Sequence, residues 1–145
     1  MSMIRKTVIA LMLSALFVAA AMPALAATPK EQADLYYSLR KDMSNVKKGI
    51  ELVEQELIKN PNDYELLWRQ ARFYWFMGDR AEGKERLANF EKGKDYAERA
   101  TEANEQGIDG QYWLAASIGS VGIERGIMAS LFMVAQAYDP LGSDI

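Results

Sequence analysis

The side chains available for chemistry in this sequence are carboxylates, lysines, arginines and hydroxyls, because the chain contains no histidine and no cysteine. Histidine is the usual proton donor or acceptor near neutral pH, and nucleophilic sites commonly pair it with serine or cysteine. Zinc sites also draw mainly on these two residue types. Carboxylates are plentiful, but no pair stands in an apolar surround that would raise a pKa for acid–base work. We therefore predict a protein with no catalytic residues, no bound metal and no cofactor.

One segment has the spacing of a phosphate-binding loop. Residues 78–84 read Gly-Asp-Arg-Ala-Glu-Gly-Lys, which matches the pattern G-x-x-x-x-G-K. A working loop needs serine or threonine at the next position to hold magnesium, and Glu85 stands there instead. It also needs a preceding strand, whereas the surrounding pattern is helical. We interpret the match as a coincidence.

The N-terminus has the three regions of a secretory signal peptide. Arg5 and Lys6 supply positive charge, residues 7–21 are uncharged and mostly apolar, and residues 24–26 read Ala-Leu-Ala, a small-residue cleavage pattern. The apolar stretch is shorter than the roughly 20 residues of a membrane-spanning helix, and Pro23 interrupts its end. We predict cleavage after Ala26, which leaves one domain, residues 27–145, without a stable membrane anchor. A bacterial periplasm is the expected compartment.

The predicted mature chain is acidic. The full sequence has 17 basic and 20 acidic residues, and removal of Arg5 and Lys6 leaves 15 against 20, a net charge of −5. Nucleic-acid binding depends on clustered lysine and arginine, so no nucleic-acid partner is expected. Without disulfides, an exported domain of this size must be held together by its apolar core alone.

Apolar residues recur at helical spacing along the mature chain, and no segment alternates as a strand would. Thr28, Pro29 and Glu31 form a helix start with a capping box. Ser44 is expected to cap a second helix that ends at the Asn-Pro-Asn-Asp segment, residues 60–63. The apolar stripe of this second helix consists of Val46, Ile50, Val53, Leu57 and Ile58. The fold class is therefore all-α.

A third helix, residues 62–77, is expected to end at Gly78. It is apolar on two faces, which predicts packing from two sides. Its aromatic residues are Tyr64, Trp68, Phe73, Tyr74, Trp75 and Phe76. They are compatible with a ligand pocket, but helical spacing favours core packing. A fourth helix follows a charged stretch, a loop is expected at residues 107–110, and residues 111–120 and 126–138 are expected to form a final helix pair turned at residues 122–126.

The succession of elements resembles the tetratricopeptide repeat, a helix–turn–helix unit of about 34 residues. The positions that carry this resemblance are Leu67, Ala71, Tyr74, Gly78, Ala97 and Ala100. The distance from Gly78 to Ala100 is longer than in the repeat, so we expect an insertion of charged residues between them. The resemblance implies a short α-solenoid of tetratricopeptide-like helix pairs.

From residue 33 to about residue 138 the chain also resembles two narrower groups. One is the regulator of microtubule dynamics family with its bacterial relatives, and the other is the periplasmic T-component proteins associated with TRAP-type transporters. The likeness rests on residues 65–69, 93–100 and 112–115. These relatives continue with further helices, which implies a chain that is either naturally short or truncated. Either case implies an exposed apolar face at residues 131–134.

In tetratricopeptide repeats the first helix of each pair lines a concave groove. Carried over to this chain, the groove positions fall on Glu65, Trp68, Arg72, Trp75 and Phe76. Arg72 among aromatic residues suits a bidentate contact with a carboxylate, and the alternatives are a solvated arginine or an ion pair with an acid facing the core. The resemblance implies an exported, non-catalytic module that binds a protein or peptide and is compatible with a homo-oligomer. The alternative is a periplasmic component that presents a small ligand to a transporter.

Overall fold

The computed structural model describes residues 27–137, except for the side chains of residue 130 and residues 132–137. This part of the chain is all-α, as predicted. It consists of α1 (Pro29–Ser38), α2 (Met43–Lys59), α3 (Tyr64–Arg80), α4 (Gly83–Ala103) and α5 (Ile108–Ala137). The predicted signal peptide, residues 1–26, lies outside the described residues. Within residues 27–137 no helix combines the length and the hydropathy needed to span a bilayer.

The first three helices begin at side-chain caps. Thr28 caps α1 and the Glu31 carboxylate accepts a hydrogen bond from the Thr28 backbone N–H at 2.7 Å, which confirms the predicted capping box. The cap of α2 is Asp42 and not Ser44, since the Asp42 carboxylate accepts from the Ser44 backbone N–H at 2.8 Å. Asp63 caps α3 in the same way. A carboxylate is favoured at these positions because its charge complements the helix N-terminus.

The boundary between α3 and α4 differs from the prediction. Helix α3 continues past residue 77 to Arg80, and Gly78 lies inside it. A Cβ at Gly78 would lie 2.6 Å from the ring of Phe90 in α4, so this glycine serves close helix packing and does not end the helix. The charged stretch expected as an insertion is the first part of α4. Residues 78–84, which match the phosphate-binding-loop pattern, therefore span the junction between two helices. Gly83 takes the left-handed conformation that glycine favours, with φ of 54°.

The prediction of a final helix pair was wrong. Residues 108–137 form the single helix α5, which begins inside the expected loop and passes through the expected turn. The glycines of this segment suggested a turn, because glycine commonly interrupts helices. In the structure α5 packs along both α3 and α4 and buries Ser117, Val121 and Glu124. This continuous packing outweighs the low helix propensity of glycine.

The five helices stack in two layers. Each helix packs against the next one in the sequence, and α3 also contacts α1 and α5, whereas the backbones of α2 and α4 do not approach each other closely. Helices α1, α3 and α5 thus form one layer, and α2 and α4 form the other. Stacking of consecutive helix pairs in this way is the arrangement of a short helical solenoid.

The core is centred on α3, which is covered from both layers as its two apolar faces predicted. Its buried apolar side chains are Leu66, Leu67, Trp68, Ala71, Phe73, Tyr74 and Phe76. Val46, Val53 and Leu57 of α2 join the same core, as the helical stripe predicted. Ile58 was wrongly placed in that stripe, since it is 81% exposed.

Candidate interaction site

The five residues predicted to line a groove all lie on α3, but they face different neighbours. Trp68 and Phe76 are buried in the core. Glu65 is half-exposed and Arg72 mostly buried, and both take part in ionic contacts of α3. Trp75 points towards α5, where its indole N–H donates a hydrogen bond to Ser120 Oγ at 3.1 Å. The structure brings Glu65, Trp68 and Arg72 together and separates Trp75 from them.

Asp34 of α1 binds two arginines of α3. Its Oδ1 accepts a hydrogen bond from Arg72 Nη2 at 2.7 Å. Arg69 makes a bidentate contact with the same carboxylate, through Nε at 3.0 Å and Nη2 at 2.8 Å. Arg69 Nη1 also donates to Glu65 Oε2 at 2.6 Å. This network of two acids and two arginines fastens α1 to α3.

Both cations of this network are enclosed, with 11% of the Arg69 side chain and 13% of the Arg72 side chain exposed. The Arg72 guanidinium lies over the ring of Tyr37 at 3.9 Å and near the ring of Trp68 at 5.0 Å. Burial lowers the pKa of Arg72, and the hydrogen bond to Asp34 offsets part of this effect. The arrangement matches the ion-pair alternative, because Asp34 already binds the Arg72 guanidinium.

Tyr74 joins three helices on the opposite side of α3. Its hydroxyl donates to Glu54 Oε1 of α2 at 2.7 Å, and its ring stacks on Tyr96 of α4 with centroids 5.6 Å apart. Burial raises the pKa of Tyr74, and the hydrogen bond to Glu54 raises it further. A tyrosine held neutral in this way supports packing and provides no reactive group.

One side of α5 is apolar and exposed to solvent. Its large hydrophobic side chains are 48–81% exposed and comprise Ile108, Tyr112, Ile118, Ile123, Ile127 and Leu131. Among the described residues only Leu35, Leu39 and Ile58 are other large hydrophobic side chains with comparable exposure. The small residues Ala115, Gly119 and Gly122 lie between the six, and we call the whole set the α5 face.

The α5 face carries no charge over most of its length. Residues 110–123 include no acidic or basic side chain. The next two residues are charged but engaged by α4: Glu124 is buried and accepts from Arg86 at 2.7 Å, and Arg125 contacts Glu91 at 2.8 Å. Uncharged apolar surface of this extent commonly marks a site of protein association.

Sequence reasoning located only the end of the α5 face. The exposed apolar face was expected at residues 131–134, of which Leu131 is exposed and the other three side chains lie outside the description. The remainder was missed because residues 111–138 were divided into two helices. The helical spacing of Ile108, Tyr112, Gly119, Ile123 and Ile127 is the signal that identifies one continuous face.

Comparison with known proteins identifies the family of this chain. A comparison with curated proteins gives no match. The family model described as Regulator of microtubule dynamics protein 1-3 matches residues 30–131, which is more than half of the chain. The match runs from the first turn of α1 to Leu131 and so includes both the arginine network and the α5 face. The chain therefore belongs to the regulator of microtubule dynamics protein family.

Proposed function

We propose that this protein is an exported, non-catalytic helical module that binds a partner protein through the α5 face. The observation that carries the proposal is the concentration of exposed apolar side chains along one helix. Monomeric proteins rarely expose large contiguous apolar patches, and such patches commonly mark interaction sites. The tetratricopeptide-like character of the helix pairs and the periplasmic location belong to this proposal.

A binding role is also favoured by the side chains that the chain provides. The absence of histidine and cysteine from the sequence leaves few routes to catalysis near neutral pH. The description of the family refers to regulation of microtubule dynamics and names no chemical reaction. A module of stacked helices, by contrast, can bind through its surface with no reactive group.

The alternative function, presentation of a small ligand to a transporter, depended on the aromatic side chains of α3. Trp68, Phe73, Tyr74 and Phe76 are buried against neighbouring helices, and Trp75 packs beside Trp113 of α5 with ring centroids 5.8 Å apart. These contacts favour a structural role for the aromatic residues, so we give preference to the protein-binding function.

Site-specific photo-crosslinking in the producing cell tests this proposal. A photoreactive amino acid replaces Ile123 on the α5 face in the full chain, and the same replacement of Ile58 on α2 is the matched control, because both are exposed isoleucines. We expect a discrete crosslinked product from position 123 and none from position 58. Equal products from both positions, or no product from either, would contradict the proposal.

The same samples test export. We expect the crosslinked product in the periplasmic fraction, with a mature N-terminus at Ala27 when the uncrosslinked chain is sequenced. A chain that keeps residues 1–26 and stays in the cytoplasm would remove the exported part of the proposal and leave the binding part intact.

A further inference from the structure

We propose that the partner of the α5 face is a second copy of the same chain, and that two α5 helices pack against each other about a two-fold axis. This inference rests on the proposed function and names its partner. A different protein bound at the α5 face would satisfy the proposed function and overturn this inference.

The first argument is electrostatic. Near a two-fold axis each residue meets its own copy, so a charge there would be brought near a like charge. The centre of the α5 face avoids this repulsion because residues 110–123 are uncharged, and the exposed Asp109 lies at one end, far from the axis. At its edge Arg125 is neutralised by Glu91 of the same chain, at 2.8 Å. A strongly acidic or basic partner, in contrast, finds no counter-charge along these residues.

The second argument is shape. Gly119 lies near the middle of the α5 face, about as far along the helix from Ile108 as from Leu131. In an antiparallel pair Ile108 of one copy lies opposite Leu131 of the other, and Tyr112 lies opposite Ile127. The centre of the contact is then formed by Gly119 of both copies.

The glycines leave room at that centre. A Cβ added at Gly119 or Gly122 would meet no atom of the chain within 4 Å, so a second helix can approach the backbone closely there. The large side chains at both ends of the α5 face then pack against those of the second copy. An antiparallel arrangement also places the opposite partial charges of the two helix ends side by side, which favours it over a parallel one.

The third argument is area. The exposed parts of the six large side chains amount to roughly 700 Å² per copy, which is the upper limit of what they can bury, against about 800 Å² per partner in a standard protein interface. The small residues between them add to the surface available for contact. The α5 face therefore provides the greater part of the area that a dimer interface of standard size requires.

A disulfide crosslink provides a direct test, because the natural chain contains no cysteine. Gly119→Cys introduces a single thiol at the centre of the α5 face in the full chain, and Ile58→Cys is the control on α2. A disulfide requires Cα atoms within about 7 Å. We expect mild oxidation of the purified protein at low micromolar concentration to give a covalent dimer with Gly119→Cys and not with Ile58→Cys.

Light scattering of the natural chain and of two arginine variants gives the second measurement. We expect a dimer mass for the natural chain, at least a tenfold weaker association for Ile123→Arg, and no change for Ile58→Arg. Circular dichroism verifies that both variants retain their helices. If Ile123→Arg does not fold, the crosslink and the mass of the natural chain decide the question.

A monomer mass for the natural chain, together with no Gly119→Cys crosslink, would overturn the dimer. If the photo-crosslink at position 123 then joins a different protein in the cell, the inference has failed and the proposed function stands. If that photo-crosslink is also absent, both have failed, and the α5 face is covered by other parts of the chain or left in solvent.

Discussion

Asp34 is the counter-ion of two arginines, and its ionisation links the attachment of α1 to pH. Burial raises the pKa of the Asp34 carboxyl, but the hydrogen bonds and charges of Arg69 and Arg72 outweigh burial and hold it below its ordinary value. A carboxylate whose pKa is lowered by folding stabilises the folded state above the unfolded pKa, about 3.9 for aspartate. That stabilisation is lost as the pH falls through the lowered value.

Replacement of this carboxylate should therefore have a pH-dependent effect. We expect Asp34→Asn to lower the free energy of unfolding at pH 7 by about 1–3 kcal/mol, since the mostly buried Arg72 loses its charged partner. The difference between variant and natural chain should shrink as the pH falls from 4 towards 2. Urea denaturation across this pH range measures it. Asp95→Asn on exposed helix surface is the control, and an equal loss at all pH values for Asp34→Asn would refute the linkage.

At the residue scale the sequence predicted one half of this contact. Arg72 was identified as a cation among aromatic residues with an acid as one candidate partner. Its partner Asp34 was not identified, because the two residues are 38 positions apart and meet only when α1 packs on α3. Side-chain pairs between helices depend on the register of packing, which a helical pattern in one segment does not contain.

At the scale of elements, Gly49 of α2 faces the ring of Phe73 in α3. A Cβ at position 49 would overlap that ring, and the ring has no room to move because Phe73 is fully buried. Phe73 therefore occupies the space that any larger residue at position 49 would need. This contact sets the separation of the two helices.

A methyl group at position 49 should consequently destabilise the fold. Overpacking costs about 1–3 kcal/mol, and the better helix propensity of alanine offsets up to about 1 kcal/mol of this loss. We expect Gly49→Ala to lower the free energy of unfolding by about 1–2 kcal/mol in urea denaturation. In the double variant with Phe73→Leu the loss should be smaller than the sum of the two single losses, by at least about 0.5 kcal/mol. Additive losses would show that the two side chains do not compete for space.

The helix ends show which boundaries a sequence can predict. The start of α1 and the end of α2 were predicted because capping side chains and proline act on the nearest backbone groups. Gly78 and Gly122 were both taken as helix breakers, yet each lies within a helix. Gly78 is required by its contact with Phe90, and α5 is held by packing along its opposite side. Such tertiary contacts decide whether a glycine ends a helix.

At the scale of the whole molecule, the continuity of α5 determines which surface is open. In the two-helix arrangement, residues 126–138 would fold back beside residues 111–120 and could cover the apolar side chains of that segment. In the structure α5 continues through residues 122–126 without a break, and Tyr112 and Ile118 are exposed. The proposed interaction and the proposed dimer both depend on this difference.

A proline within α5 tests the continuity of the helix. In a helix, Gly122→Pro removes one backbone hydrogen bond and clashes with the preceding turn, at a cost of about 3 kcal/mol or more. At a turn the same replacement would be tolerated. Glu105→Pro is the matched control: Gly107 N–H donates to Asn104 O at 3.0 Å, so position 105 is the second residue of a β-turn, where proline is favoured.

Backbone geometry before this turn also suits the control, because Asn104 is extended, with φ of −152° and ψ of 96°, as a residue before proline prefers. We expect Gly122→Pro to reduce the helical circular dichroism signal and the urea midpoint, and Glu105→Pro to change stability by no more than about 0.5 kcal/mol. Similar small effects of both prolines would mean that residues 122–126 form a turn. The α5 face would then be folded against itself, and neither a partner nor a second copy would be able to bind it as proposed.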